Sequence, residues 1–203
     1  MRSTLHRETI LSAGCELARR DGVEALGIRS VAGIVGTTPM ALYRYVADAT
    51  DLRDAVLERL FASLPTRPKS VDDLCSWAHQ FRGWLLDVPG LSRLVLIRWF
   101  ELEPMLDLVE ALLEVFRDVG LGGFELVSAA NSVFSYVLAR GQLEEAVRAS
   151  GVRRSLPWEA SEAERPLLDS LRGEYEVARL DEHFDFGLRL VLTGLLAHTP
   201  RVA

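Results

Sequence analysis

Hydroxyl, cationic and ring side chains stand close together within "GTTPMALYRY", residues 36–45. Hydroxyls and arginines can donate hydrogen bonds to phosphate oxygens, an arginine can also donate to guanine, and small apolar groups can contact a thymine methyl. The candidates for such contacts in and just before this stretch are Arg29, Thr37, Thr38, Met40, Ala41, Tyr43, Arg44 and Tyr45. Together these residue types predict contacts with the major groove and backbone of double-stranded DNA.

Two short helices and a tight turn are the elements that must position these side chains. Ile28, Val31, Ala32 and Val35 recur at helical spacing, and Gly36 can supply the left-handed backbone of a turn. A second helix is predicted from Pro39 to about residue 45, because a threonine before a proline is a favourable helix start. This spacing is that of a helix-turn-helix, but alone it fits a structural turn in any helical bundle equally well.

Charge and composition set limits on the class of protein. The 203-residue chain has a net charge of −6, but residues 1–65 hold eight arginines and eight acids and are neutral. The N-terminal part is therefore the part that least repels a polyanion. Cys15 and Cys75 lie far apart in helical patterns, and we expect two buried thiols, with neither a disulfide nor a metal site. No apolar leader or membrane span is found, so a cytoplasmic protein without membrane contact is expected.

The apolar periodicity predicts an all-α fold. No strand pattern is found, and "LPTRPKS" at residues 64–70 interrupts the helical spacing with two prolines. We therefore expect an N-terminal three-helix domain containing the helix-turn-helix, followed by a larger antiparallel helical bundle, with about nine to ten helices in all. The predicted bounds are 1–47 for the helix-turn-helix domain, 48–65 for a connecting helix and 66–203 for the larger domain.

Residues 7–60 closely resemble the DNA-binding domain of TetR-family transcriptional regulators, through "ILSAGCELARRDGVEAL", "IRSVAGIVGTTPMALYRYV" and "DLRDAV". The remainder is similar, more weakly, to the ligand-binding and dimerisation domain of the tetracycline-repressor branch, in "FRGWLLDVPGLSRL", "LLEVFRDVGL" and "FDFGLRLVLTGL". The resemblance implies a repressor released from operator DNA by a small effector. It also implies DNA-facing positions for Arg29, Thr38, Met40, Ala41, Tyr43, Arg44 and Tyr45. The family often has a lysine where this chain has Ala49, so we expect weaker or more salt-sensitive DNA binding.

Large rings in the second domain suggest an apolar effector pocket between helices with a few polar selectors. For any single ring, a place in the core is the alternative. The predicted lining is Phe81, Trp84, Arg98, Trp99, Phe100, Met105, Phe116, Asn131 and Phe134. Tetracycline-responsive members bind a magnesium–drug complex through a histidine, and residues 103–147 contain none. A small organic, largely apolar effector is therefore expected.

The last helix and the long helix from Phe124 are apolar on more than one side, which predicts burial against a second subunit. A homodimer with a four-helix interface, reading a palindromic operator, follows from the resemblance; a monomer with two central helices is the alternative. The expected interface residues are Val127, Phe184, Gly187, Leu188, Val191, Gly194 and Leu195.

Enzyme activity is the principal rival to a regulator, and the motif evidence disfavours it. No His-x-x-x-His, Cys-x-x-Cys, G-x-S-x-G or phosphate-binding loop occurs, so we expect no catalytic residues and no cofactor. "EHFD" at residues 182–185 is a possible metal site, but a solvated helix start explains it better. Two other readings stay open: a TetR-like ligand binder that has lost DNA binding, and an activator.

Overall fold

The computed structural model describes residues 5–151, 165–175 and 179–197, and throughout these ranges the regular elements are helices. The predicted all-α fold is thereby confirmed. In chain order the α-helices are α1 Arg7–Asp21, α2 Ile28–Ile34, α3 Pro39–Leu42, α4 Ala49–Phe61, α5 Leu74–Leu86, α6 Leu91–Arg98, α7 Glu103–Asp118, α8 Gly123–Ala149, α9 Pro166–Ser170 and α10 Leu180–Ala197. None of the helices in the described ranges has the length and apolar character needed to cross a membrane.

The chain divides into two compact units. The first comprises Met1–Thr66 and Gly83–Leu106, and the second comprises Arg67–Arg82 and Asp107–Ala203. The predicted domains were contiguous in sequence, whereas the segment that contains α6 groups with the N-terminal helices. Both unit boundaries within the larger domain fall inside helices, α5 and α7.

In the first unit, α1 packs closely against α4. A side chain at Gly14 would come within 2.5 Å of the Val56 side chain, so the helices can approach only because this residue is glycine. The neighbouring Cys15 is buried, and this burial raises the pKa of its thiol. An ion pair between Glu8 and Arg59 spans the same two helices at the surface. The tight contact fixes α4 relative to the bundle that carries α2 and α3.

The loop after α5 is bonded to the loop after α1 within the first unit. The Val23 backbone N–H donates to the Pro89 carbonyl oxygen at 3.0 Å. Gly22 and Gly90 adopt φ values of 91° and 82°, which favour glycine, and each lies against the opposite loop. The arrangement places the start of α6 directly against the end of α1.

The second unit is built around buried rings on α5, α7, α8 and α10. Phe81, Phe116 and Phe184 are fully buried, and Phe134 is almost so. Phe81 stacks on Phe134 with 6.0 Å between ring centroids, which joins α5 to α8. Helices α8 and α10 cross closely at Gly187, where any larger side chain would collide with the Tyr136 hydroxyl.

Several local predictions need correction. Helix α3 ends at Leu42, so Tyr43–Tyr45 form a turn in place of a further helical turn. Thr38 occupies the N-cap position, but its side chain makes no capping hydrogen bond. Cys75 is exposed, because it lies on the outer side of α5.

Candidate nucleic-acid interface

The turn between α2 and α3 has the geometry that the helix-turn-helix spacing predicted. Gly36 has a φ of 67°, in the left-handed region that glycine adopts at little cost. The next residue, Thr37, donates its backbone N–H to the carbonyl oxygen of Ala32 at 2.9 Å, which closes the turn. On the far side, Leu42 and Val46 are buried and hold α3 against the core. Burial of these two side chains therefore determines which side chains of α3 face solvent.

Most of the predicted DNA-facing side chains lie at the surface around this turn. Met40 and Tyr43 are 74% and 49% exposed. Within the described part of the chain, Arg29 and Arg44 make no ion pair. We refer to the outward-facing set as the recognition surface: Arg29, Thr37, Thr38, Met40, Ala41, Tyr43 and Arg44. Thr37 and Ala41 are half-buried, and the remaining members are exposed.

Tyr45 does not join the recognition surface. Its hydroxyl donates to the backbone carbonyl oxygen of Leu5 at 2.7 Å, and the residue is half-buried. A hydroxyl has a single proton to donate, and a phosphate oxygen accepts only. The expected phosphate contact through this hydroxyl is therefore wrong: Tyr45 instead ties the N-terminal segment to the end of the helix-turn-helix.

The N-terminus of α4 is already occupied by the chain's own carboxylates. Asp48 accepts from the backbone N–H groups of Thr50 and Asp51 at 2.7 and 2.9 Å. Asp51 in turn accepts from the Ala47 N–H at 2.7 Å. Free N–H groups at a helix start attract phosphate, whereas here the Asp48 carboxylate accepts from two of them and Asp51 adds a second negative charge beside it. Ala49 adds no cation, so this end of α4 repels a nearby phosphate.

The predicted pocket residues do not all lie in one unit: some belong to the first unit and some to the second. Phe81, Phe116 and Phe134 are buried in the second unit. Asn131, also on α8, is exposed, and its role in an effector pocket stays a prediction.

The other predicted pocket residues belong to the first unit: Trp84, Arg98, Trp99, Phe100 and Met105. Trp84 lies against α4, with its ring centroid 5.2 Å from that of Phe61 and its indole N–H 3.3 Å from the Leu60 carbonyl oxygen. Arg98 is exposed and pairs with Glu101 at 2.8 Å, and Phe100 is 58% exposed. Arg98 lines a cavity of the first unit together with residues of α4, and Phe100 is not among the residues lining that cavity. Met105 is fully buried, and Trp99 meets Phe100 edge to face.

Part of the predicted dimer interface is core. Phe184 and Leu188 are 0% and 1% exposed, so their side chains are unavailable to a second subunit. Gly187 faces Tyr136 of its own subunit, so the close crossing that it permits is within the chain. Val127 and Gly194 are exposed, and Val191 and Leu195 are half-buried. The large apolar residues that α10 does expose were not predicted: Phe186 at 66% and Leu190 at 58%.

A buried ionic cluster in the second unit was missed by the sequence analysis. Arg82 on α5 donates to Glu144 on α8 and to Asp181 on α10, each at 2.5 Å. The side chains of Arg82 and Glu144 are only 7% and 8% exposed. Arg148 also bonds Glu144, and the Arg82 guanidinium lies 4.6 Å from the Phe184 ring centroid. The one sequence feature that could have indicated this cluster was an arginine beside Phe81 in an apolar stripe. Nothing in the sequence indicated its distant partners.

Electrostatics in this cluster favour its ionised form. Burial opposes the charge of Arg82, but the hydrogen bonds that it donates to Asp181 and Glu144 outweigh this effect and raise the pKa of the guanidinium. The same bond from Arg82 lowers the pKa of Asp181. His79 extends the α5–α10 contact by pairing with Asp185 at 2.5 Å. These contacts hold three helices together and leave the guanidinium of Arg82 no role in binding DNA.

Comparison with known proteins agrees with the geometry of the turn and the bundle. Residues 64–199 match the family model described as the tetracyclin repressor-like C-terminal domain. The chain is 33% identical to the HTH-type transcriptional repressor DrrR1 of Streptomyces coeruleorubidus, over 95% of this chain and 77% of that protein. It is 27% identical to the class A tetracycline repressor protein of Escherichia coli, over 94% and 90% of the two chains.

Solved structures share the fold. A possible TetR-family regulator from Streptomyces coelicolor A3(2) superposes with a TM-score of 0.75 at 23% identity, covering 95% of this chain and 99% of that one. With a helix-turn-helix closed at Gly36, an outward-facing recognition surface and a helical bundle matched by the family model, the chain belongs to the TetR family of ligand-responsive, DNA-binding transcriptional repressors.

Proposed function

We propose that this chain binds a palindromic operator as a homodimer and represses transcription until a small, largely apolar effector releases it. The observation that carries the proposal is the recognition surface, where Met40 on α3 and Tyr43 and Arg44 in the turn after it are exposed, beside the buried Leu42 and Val46. An arginine with no internal ion pair and a ring hydroxyl beside it suit a guanine edge and a phosphate. We propose a regulator with no catalytic step of its own.

The dimer is proposed on the outer faces of α8 and α10. Phe124 and Val127 on α8 are 86% and 49% exposed, and Phe186 and Leu190 on α10 are similarly open. Large apolar side chains at these levels of exposure are typical of a surface that a second subunit covers. A twofold axis through this face would present two copies of α3 to half-sites about one DNA turn apart.

The proposed release mechanism passes through α6. The start of this helix is bonded to the loop after α1, through the Val23 N–H and the Pro89 carbonyl oxygen. Leu94 and Arg98 of α6 and Arg53 and Leu57 of α4 line one cavity of about 230 Å³ in the first unit. A shift of α6 would therefore be transmitted to α4 and to the helix-turn-helix.

An effector releases DNA only if it binds the DNA-incompetent arrangement more tightly than the competent one. Helices α5 and α7 each carry the chain from one unit to the other, so an effector held among the rings of the second unit can bias the position of α6 through them. The expected effector is organic and largely apolar, because aliphatic and aromatic side chains together make up most of the buried positions of α5, α7 and α8.

Fluorescence anisotropy on DNA from upstream of the chain's own gene, across a salt series, tests the proposal. We expect saturable binding that exceeds binding to a scrambled duplex, with one dimer or a pair of dimers per site. Binding no better than to the scrambled duplex at low salt would count against it.

A second candidate function is favoured by one feature, the acidic start of α4. The Asp48 carboxylate accepts from two N–H groups of that helix, the Asp51 carboxylate accepts from the preceding Ala47 N–H, and Ala49 stands where the family often has a lysine. A ligand binder that has lost DNA binding would look like this. The variant Ala49→Lys separates the candidates, since a phosphate contact should raise affinity for any duplex several-fold and steepen its salt dependence. No gain at all would favour the ligand binder.

A further inference from the structure

The cavity of about 230 Å³ in the first unit combines an apolar lining with charged groups. We call it the α4–α6 cavity. Its apolar residues are Val23, Leu26, Leu57 and Leu94, of which the first three are buried and the last is half-buried. Its polar residues are exposed: Glu24, Thr50, Arg53, Asp54 and Arg98. A lining that is partly aliphatic and partly charged suits a small amphipathic molecule.

Both arginines of the α4–α6 cavity are held in place through one nitrogen. The Nε–H of Arg53 donates to the Leu26 carbonyl oxygen at 2.9 Å, and the Nε–H of Arg98 donates to Glu101 at 2.8 Å. The terminal nitrogens of these two guanidinium groups have no hydrogen-bond partner in the part of the chain that the structure describes. A guanidinium that is held at Nε keeps donors in a fork that matches the two oxygens of a carboxylate.

Two carboxylates in the same lining are also unpaired. Glu24 lies in the short helical turn Val23–Ala25, and Asp54 lies on α4. Neither makes an ion pair with any residue in the described ranges. These acids repel a simple anion, and the arginines repel a simple cation. A ligand that carries one charge of each sign meets an opposite charge at both of its ends.

We propose that the α4–α6 cavity binds a small zwitterion with an apolar body, of the class of an aliphatic α-amino acid. Its carboxylate accepts from Arg53 and Arg98. Its ammonium group donates to Glu24 and Asp54, and its aliphatic part packs against the leucines of the lining. The volume is below the range of drug-sized pockets, which restricts the ligand to a small molecule. This site is separate from the buried rings of the second unit, and binding there does not depend on the proposed function.

Three probes with similar aliphatic bodies test the need for both charges. L-leucine carries both, 4-methylpentanoate lacks the ammonium group, and 3-methylbutylamine lacks the carboxylate. Each is titrated by calorimetry into the full chain without DNA. We expect L-leucine to bind about three- to tenfold more tightly than either of the others, since each lost charge removes one solvent-screened ionic contact. Equal affinity for all three probes would overturn the inference, as would no saturable binding of L-leucine up to about 10 mM.

Two variants of α4 locate the site. Arg53→Gln should weaken L-leucine binding about three- to tenfold and reduce its advantage over 3-methylbutylamine, because the carboxylate loses a partner. Asp54→Asn should weaken L-leucine binding to a similar degree and reduce its advantage over 4-methylpentanoate. The matched controls are Arg93→Gln on α6 and Glu58→Gln on α4, two exposed residues that do not line the cavity.

The control variants should bind L-leucine as the wild type does, and thermal unfolding checks that all four variants are folded. If Arg53→Gln and Asp54→Asn bind L-leucine as tightly as their controls, then the α4–α6 cavity is not the site and the inference is wrong. Because calorimetry is performed without DNA, a failure of the chain to bind its operator contradicts the proposed function and leaves this measurement unaffected.

Discussion

Two groups of arginines in this molecule have the same chemistry and opposite roles. Arg29 and Arg44 stand on the recognition surface without an ion pair among the described residues, whereas Arg82 is buried between Glu144 and Asp181. The guanidinium is always charged, so what differs is whether its hydrogen-bond donors are used within the subunit. An arginine whose donors are free can bind DNA, and one whose donors are bonded holds helices together. Residue type alone therefore does not assign function here.

Removing the buried arginine should have the largest effect. Arg82→Met leaves Glu144 buried without its principal partner, and an uncompensated buried charge is strongly destabilising. We expect a loss of about 3 kcal/mol in the free energy of unfolding, measured by urea denaturation. The exposed partner of the same carboxylate is the control: Arg148→Ala should cost less than about 1 kcal/mol. Equal losses in the two variants would show that burial does not distinguish the pairs.

Removing an arginine from the recognition surface should have an intermediate effect, on binding and not on folding. Arg44→Ala should weaken operator binding by about 5- to 150-fold, the range for one direct contact to a base edge, while the unfolding midpoint stays unchanged. Competition anisotropy against the wild type measures the loss. Arg117→Ala, an exposed arginine on α7, should bind as the wild type does. If Arg44→Ala and Arg117→Ala bind equally well, then α3 does not read DNA.

The smallest effect is expected at the solvent-exposed end of the buried cluster. The bond from Arg82 lowers the pKa of Asp181 below its unfolded value of 3.8, so the ionised pair stabilises the fold above that pH and loses its contribution as pH falls through the folded pKa. Asp181→Asn should therefore cost less than about 1 kcal/mol at pH 7, because 79% of the side chain is exposed and solvent screens the pair.

Urea denaturation of the wild type and Asp181→Asn at a series of pH values from neutral downward measures this difference. The two proteins should converge in stability as pH falls through the lowered folded pKa of the wild-type carboxyl. Glu110→Gln, on the exposed side of α7, serves as the control and should track the wild type at neutral pH. If the difference in unfolding free energy between the wild type and Asp181→Asn stays constant from neutral to acidic pH, then ionisation of Asp181 does not stabilise the fold.

The recognition surface was the part of the site that local sequence could predict. Its geometry depends on residues within about fifteen positions: the small Ala32, the left-handed Gly36 and the buried Leu42. Tyr45 was assigned wrongly because its partner, Leu5, lies 40 residues away. The effector residues were the harder part, since a ring on an apolar stripe looks the same whether it packs in the core, as Phe116 does, or against another helix, as Trp84 does.

The sequence by itself determined the helical class, the turn between α2 and α3, the family and the neutral charge of the N-terminal part. These depend on periodicity, on glycine and proline at set positions and on motifs, all of which are local. Only the tertiary structure decided that α6 joins the N-terminal helices, that Phe184 and Leu188 are core, and that Arg82 meets Glu144 and Asp181. Each of those outcomes depends on which faces of distant helices meet, and burial and hydrogen bonding across 60 to 100 residues leave no local pattern in the chain.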